Sequence, residues 1–203
     1  MGIDLEKLKK YKEKLEEEKA KRKEEAGLFM KLQEGDNVVR ILPLGDTFFK
    51  EVYQHRVGKK IVTCPKTFGK DCPICEMAKE LEAKGVKHNL SPRVRYYSVV
   101  VHKDDGIKVL GYGVSILNGL MDLLFDAEWG DFTSRENGYA VNIKRTGTGL
   151  DTEYNVMPRP KKPVPEKIYQ AWLAQIPDLD KLFAPLSYED LTALLEGVEV
   201  EGE

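Results

Sequence analysis

The 203-residue sequence is poor in cysteine, which crosslinks chains, and in histidine, which often takes part in catalysis. It contains three cysteines, three histidines and two tryptophans. No apolar run approaches the roughly 20 residues that a transmembrane helix needs, and the first 25 residues hold no secretory apolar segment. Three cysteines cannot all pair, so the composition argues against a disulfide framework. We expect a reducing, intracellular compartment.

Catalytic signatures are also missing. The sequence has no Gly-x4-Gly-Lys-Ser/Thr phosphate loop, no Ser/His/Asp set with local support and no spare carboxylate cluster near a histidine. We therefore expect neither hydrolysis nor phosphoryl transfer, and no enzymatic activity.

Charge is unevenly distributed along the chain. The net charge is −2, but residues 1–25 carry +1, residues 26–165 carry +4 and residues 166–203 carry −7. A mildly basic middle followed by an acidic end favours anion binding by the middle segment.

All three cysteines and one histidine fall in a single stretch, HRVGKKIVTCPKTFGKDCPIC. These residues are His55, Cys64, Cys72 and Cys75, separated by turn-forming prolines and glycines. A Cys-x2-Cys turn lets two thiolates bind one tetrahedral ion, and a third cysteine and a histidine complete the four nitrogen and sulfur ligands that structural zinc prefers. The spacing predicts a knuckle that holds one structural Zn²⁺.

Three alternatives concern the same residues. His88, in a polar loop, could replace His55 as the fourth ligand. Cys72 and Cys75 could form a redox dithiol, but the pair does not open a helix in a thioredoxin-like unit, and His55 and Cys64 would have no role. A zinc deaminase is disfavoured because His-x-Glu and Pro-Cys-x-x-Cys are absent.

The apolar pattern predicts a barrel of antiparallel strands. Helical patterns cover 74–84 and 115–126, and Asp104, Asp105 and Gly106 predict a hairpin turn. Alternation predicts strands at 38–42, 48–55, 93–102, 107–113, 139–146 and 152–158. Several antiparallel strands, one helix and two closing strands are the order of an OB-fold, a five-stranded Greek-key barrel that binds oligonucleotides on one face. The predicted class is mainly β with α, with an inserted zinc-binding subdomain and flanking terminal helices.

The predicted organisation has three parts. Residues 1–27 form a charged N-terminal helix of strong helix formers. Residues 28–165 form the OB-fold core, with the zinc subdomain inserted at about 55–92. Residues 166–203 form a helical, acidic C-terminal segment that follows the proline-rich connector MPRPKKPVP.

Cations and aromatic residues are interleaved along the predicted strands, as sequence-tolerant binding of a single strand requires. We predict that bases stack on Tyr97, Tyr112 and Tyr154. The cations predicted to contact nucleic acid lie on the zinc loop and the strands, and they are Arg56, Lys59, Lys60, Arg93, Arg95, Lys108, Lys144, Arg145 and Arg159.

Cysteine spacing, strand order and a Gly-Thr-Gly hairpin agree over three stretches: FFKEVYQH…TCPKTFGKDCPICEMAKEL, RYYSVVVHKDDGIKVLGYGVSILNGLMDLLFD and WGDFTSRENGYAVNIKRTGTGLDTEYNV. Over roughly residues 28–163 the chain thereby resembles the single-stranded DNA-binding (helix-destabilising) protein family of T4-type bacteriophages. The resemblance implies an OB-fold with zinc on His55, Cys64, Cys72 and Cys75, and single-stranded DNA in a cleft between zinc subdomain and barrel.

The resemblance also implies a function. It implies a non-enzymatic, sequence-independent coat that protects single-stranded DNA in phage replication, recombination and repair, in the cytoplasm of a bacterial host. Partners would be replication or recombination proteins at the acidic end, with self-association along DNA and no membrane. The family's short basic N-terminal arm is replaced here by a mixed-charge helix. The alternative function is a zinc-stabilised protein-interaction module without nucleic-acid binding.

Overall fold

The computed structural model describes residues 6, 9–13, 16, 27–103 and 106–197. The strands are β1 (Phe29–Met30), β2 (Gly35–Ile41), β3 (Lys50–Val57), β4 (Lys60–Thr63), β5 (Arg93–His102), β6 (Gly106–Tyr112), β7 (Val141–Thr146) and β8 (Glu153–Pro158). The helices are α1 (Pro73–Ala83), α2 (Val114–Phe125), α3 (Glu166–Leu173), α4 (Leu179–Leu182) and α5 (Tyr188–Glu196). The described residues within the first 16 are helical. Most of the predicted N-terminal helix, and the predicted turn at Asp104 and Asp105, lie outside the described residues.

Five of the strands form the barrel in the order β6-β5-β2-β7-β8, and every neighbouring pair is antiparallel. Helix α2 lies between β6 and β7 in sequence and packs against β8, where Gly119 leaves room for the side chain of Val156. This is the strand order and the helix position of an OB-fold, so the predicted fold class is confirmed. Strand β1 extends the sheet beside β6 in parallel.

Strand β5 contributes to two separate cores because its side chains alternate between the faces of the sheet. Tyr96 and Val100 point into the barrel, whose core also holds residues of β2, α2 and β7. Tyr97 and Val99 point to the outer face, where a second apolar cluster includes side chains of α3 and α4. The middle of β5 is therefore covered on both sides.

The inserted subdomain grows directly out of the barrel sheet. Strand β3 pairs with the first half of β5 and, further along, with β4. After β4 the chain passes through a short 3-10 turn, which ends at Gly69 in the left-handed conformation that glycine favours, and then enters α1. A third buried cluster joins the three cysteines to Ile74 and to Leu191 of α5.

The C-terminal segment packs on both the barrel and the subdomain. Helices α3 and α4 cover the outer face of the barrel, and α5 packs on α1 of the inserted subdomain. Side-chain oxygens of Asp178 and Ser187 cap the N-termini of α4 and α5. As far as residue 197, the C-terminal segment is thus helical and forms a layer on the barrel and the subdomain.

Shortening Leu191 to alanine should destabilise the protein by about 2–5 kcal/mol, because this side chain is fully buried beside the cysteines. The free energy of unfolding, measured by chemical denaturation, checks this. The matched control is Leu186→Ala in the same segment, which is 47% exposed and should lose no more than about 1 kcal/mol. Equal losses in the two variants would contradict the assignment of α5 as part of the core.

Candidate metal centre and nucleic-acid interface

Four buried side chains converge in the inserted subdomain. The ligand atoms of His55, Cys64, Cys72 and Cys75 all lie within 4.8 Å of one another. His55 Nε2 lies 3.4 Å from Cys72 Sγ and 3.5 Å from Cys75 Sγ, and the sulfurs of Cys64 and Cys75 are 3.6 Å apart. Tetrahedral bonds of about 2.0–2.3 Å to one ion place neighbouring ligand atoms about 3.5–3.8 Å apart. The group could therefore hold one metal ion, as predicted.

Local structure brings these residues together. His55 projects from β3, and Cys64 follows β4, where its backbone N–H donates to the carbonyl of Tyr53. Cys72 is the residue before α1, Pro73 begins that helix, and Cys75 lies in its first turn. Both thiols of the Cys-x2-Cys pair therefore lie at a helix N-terminus, where the helix dipole stabilises negative charge.

His55 is oriented by a hydrogen bond outside the group. Its Nδ1–H donates to the carbonyl of Leu90 at 2.6 Å, which leaves Nε2 with its lone pair toward the cysteines. His88 lies elsewhere: its Nδ1 accepts from the backbone N–H of Leu90, and its Nε2 is 3.6 Å from Glu82. His55, not His88, belongs to the group. The role of the Leu90 carbonyl could not be predicted from the sequence, because every residue has a backbone carbonyl.

Two of the three thiols of the group resist ionisation. The hydrogen bond with the Cys64 thiol lowers the pKa of Cys72 to about 4, and the same bond raises the pKa of Cys64. Burial raises the pKa of Cys75. A metal ion would supply the positive charge that lets further thiolates form in this buried place.

The position of His55 and Cys64 beside Cys72 and Cys75 argues against a redox dithiol. The Cys72–Cys75 pair does open a helix, but this helix follows a 3-10 turn and not a strand, so the pair is not in a thioredoxin-like unit. His55 and Cys64 are within ligand distance of the pair, and neither would have a role in a dithiol. Four protein ligands also leave no open position for water, so the centre fits a structural role.

Three arginines share one exposed face of the sheet formed by β3, β4 and β5, on the side of β3 opposite to His55. Strand pairing places Gln54 opposite Arg93 and Val52 opposite Arg95, and it places Arg56 opposite Ile61. Opposed residues of antiparallel strands point to the same side, so Arg56, Arg93 and Arg95 form what we call the arginine face. Lys59 and Lys60 lie at the neighbouring β3–β4 hairpin, and all five cations are exposed.

Other predicted cations lie at the opposite end of the barrel. Lys144 and Arg145 end β7, and Lys144 is paired in register with Asp36. Arg145 donates to the carbonyl of Leu32, and Lys108 donates to that of Gly27, so both hold the N-terminal end of the described core in place. Arg159 is exposed beyond β8, in a third location. The structure therefore divides the predicted cations into separate sets.

Two of the three predicted stacking residues are core residues. Tyr112 is 1% exposed, and its hydroxyl donates to Ser98 Oγ inside the barrel. Tyr97 lies on the outer face, with its ring over Gly111 and 4.2 Å from that of Phe183. Neither ring offers a face to a base, so both are withdrawn from the interface. Tyr154 is 37% exposed and stays a candidate.

An OB-fold barrel with an inserted four-ligand subdomain and an exposed arginine face has the architecture of a nucleic-acid-binding barrel. A model of the family described as "gp32 DNA binding protein like" matches residues 33–199, most of the chain. The chain belongs to this DNA-binding, non-enzymatic family, and the resemblance to T4-type single-stranded DNA-binding proteins is confirmed. A comparison with curated proteins finds no match. Among the described residues, no helix is both long and apolar enough to cross a bilayer.

Replacing His55 by alanine should abolish stoichiometric metal binding, because it removes one of four buried ligands. Elemental analysis of the purified protein measures metal per chain. His88→Ala is the matched control and should keep one metal ion per chain, since His88 contacts Leu90 and Glu82 and is not part of the ligand group. Metal loss in the His88 variant with retention in the His55 variant would reverse the ligand assignment.

Proposed function

We propose that the protein binds single-stranded DNA with little sequence preference, and that it coats and protects such DNA during phage replication, recombination and repair. The observation that carries the proposal is the arginine face, which lies on β3 and β5 of an OB-fold in a DNA-binding family. The setting would be the cytoplasm of a bacterial host.

Phosphates would bind the arginine face. Arg56, Arg93 and Arg95 extend from adjacent strands, which lie about 4.8 Å apart. Arginine also stacks on bases and donates two hydrogen bonds to one phosphate. Ile61, 62% exposed on the same face, would give a base an apolar surface. With Tyr97 and Tyr112 in the core, cations would contribute more of the affinity than aromatic stacking does.

The metal would be zinc, held by His55, Cys64, Cys72 and Cys75. One nitrogen and three sulfur donors suit Zn²⁺ better than the oxygen-preferring Mg²⁺ or Ca²⁺. The bound ion would fix β3 and β4 against α1 and thereby hold Arg56 next to the arginines of β5. Its role would be structural, since no ligand position is open to substrate.

Further partners are part of the proposal. The acidic C-terminal end would recruit replication or recombination proteins, and the chain would associate with itself along DNA. Of the segments concerned, residues 198–203 and most of residues 1–26 lie outside the described part of the chain.

The double variant Arg93→Glu/Arg95→Glu should bind oligo-dT more weakly, because two phosphate contacts are lost. In a plot of log affinity against log salt, the slope should decrease in magnitude by about 1.4, or about 0.7 per contact on a single strand. Fluorescence anisotropy of labelled oligo-dT across salt concentrations measures both quantities. The unchanged protein should bind oligo-dT more tightly than duplex DNA of the same length.

The matched control is Lys79→Glu/Lys84→Glu, which makes the same charge change at exposed positions around α1. It should leave the salt slope within error of the unchanged protein. Equal binding of oligo-dT and duplex, or no salt dependence, would refute the proposal and favour the protein-interaction module.

Two tyrosine variants separate the core from the interface. Tyr112→Phe should lower the free energy of unfolding by about 1 kcal/mol, through loss of the hydrogen bond to Ser98, and should leave DNA affinity unchanged.

Tyr154→Ala should weaken oligo-dT binding by about 1–3 kcal/mol if a base stacks on it, with little change in stability. Denaturation and anisotropy measure the two effects, and unchanged affinity on loss of Tyr154 would remove the last predicted stacking tyrosine.

A further inference from the structure

A basic groove of about 760 Å³ lies between the connector 159–165 and the outer face of β2 and β5. Its walls carry Lys103, Arg159, Lys161 and Lys162, and its apolar lining includes Ile168 and Trp172 of α3. None of the residues that line it is acidic. Neither Arg159 nor Lys162 has an acidic partner among the residues that the structure describes. The groove is therefore complementary to an anion.

A buried arginine adds to the positive potential beneath the groove. Arg40 is 8% exposed and donates to the carbonyls of Lys162 and Ser134. Burial lowers the pKa of Arg40, but a guanidinium stays protonated in proteins. Its hydrogen-bond partners are carbonyl oxygens, and the Asp131 carboxylate attracts it without forming a direct ion pair, so its charge is only partly compensated.

The groove is separate from the arginine face. Arg95 lies on β5, and Lys103 follows the end of that strand. Their separation of eight residues corresponds to about 26 Å along an extended strand. Between them, Tyr97 and Val99 are buried under the C-terminal helices. A ligand of the groove therefore does not contact the arginine face through the surface of β5.

We propose that this groove is a second binding site for single-stranded nucleic acid, with phosphates on Arg159 and Lys162 and a base against Trp172. The proposal rests on the proposed function and adds a second contact to it. Cations on a rim and an apolar, partly aromatic lining are the two elements from which sequence-tolerant single-strand sites are built.

The backbone of the connector argues against an extended peptide as the occupant. Such peptides bind by main-chain hydrogen bonds to a free edge. Residues 160, 163 and 165 are prolines without an N–H, and the N–H groups of Arg159, Lys162 and Val164 already donate to protein carbonyls. The rim thus offers cations but few main-chain donors, which suits a phosphate backbone.

The experiment uses Trp172 as a local probe. The chain has two tryptophans, and Trp129→Phe leaves Trp172 as the single one while keeping an aromatic ring against Tyr139. Titration of this full-length protein uses oligo-dT longer than the roughly 16 nucleotides that one OB-fold can occupy. We expect the titration to quench Trp172 emission, and anisotropy of labelled oligo-dT reports total binding in parallel.

Arg159→Glu/Lys162→Glu in this background should remove the quenching and should reduce the salt slope by about 1.4. Arg93→Glu/Arg95→Glu should keep the quenching at saturating DNA, and Lys79→Glu/Lys84→Glu should behave as the parent. Circular dichroism checks that each variant is folded. If the charge-reversal variant does not fold, the milder variant Arg159→Gln/Lys162→Gln takes its place.

Unchanged Trp172 emission with normal anisotropy would overturn the second site and leave the proposed function intact. Quenching by poly-glutamate at concentrations where oligo-dT has no effect would also overturn it, in favour of an acidic polypeptide. Loss of oligo-dT binding by anisotropy in every variant and in the parent would refute both proposals.

Discussion

Strand β5 has apolar or aromatic side chains on both faces through its middle, and burying both faces shapes the rest of the molecule. One face closes against β2, α2 and β7 as the core of the barrel. The other needs a cover from outside the barrel, and helices α3 and α4 supply it. Only the beginning of β5, where Arg93 and Arg95 replace apolar residues, is left open to solvent. The exposed basic surface is the part of the strand that no second layer covers.

The inserted subdomain has too little chain to build a core of its own. Domains this small usually depend on a metal, a disulfide or a neighbouring element for stability. Here four ligand side chains gather β3, β4 and α1 around one point, and Leu191 of α5 packs into the same cluster. The C-terminal segment therefore links the barrel to the subdomain, and the two share their stability.

Much of this could be read from the sequence because the relevant signals are local. Ligand spacing identified the metal group, and alternation identified β2, β3 and β5 to β8. The direction of individual side chains could not be read in this way. Tyr97 and Tyr112 are aromatic residues next to cations, which is equally consistent with a binding surface and with a core. Their burial depends on a helix about 80 residues later and on Ser98 across the strand pair. The groove was missed for the same reason, since Lys103 and Trp172 are distant in sequence.

The connector after β8 contains three prolines, and buried Arg40 fastens it to the barrel. Proline fixes its own φ angle and restricts the residue before it, so this segment has few alternative conformations to lose. A ligand that settles against it meets a preorganised rim and loses little conformational entropy of the protein on binding. Under the proposed second site, rigidity acquired during folding would thus contribute to affinity at this groove.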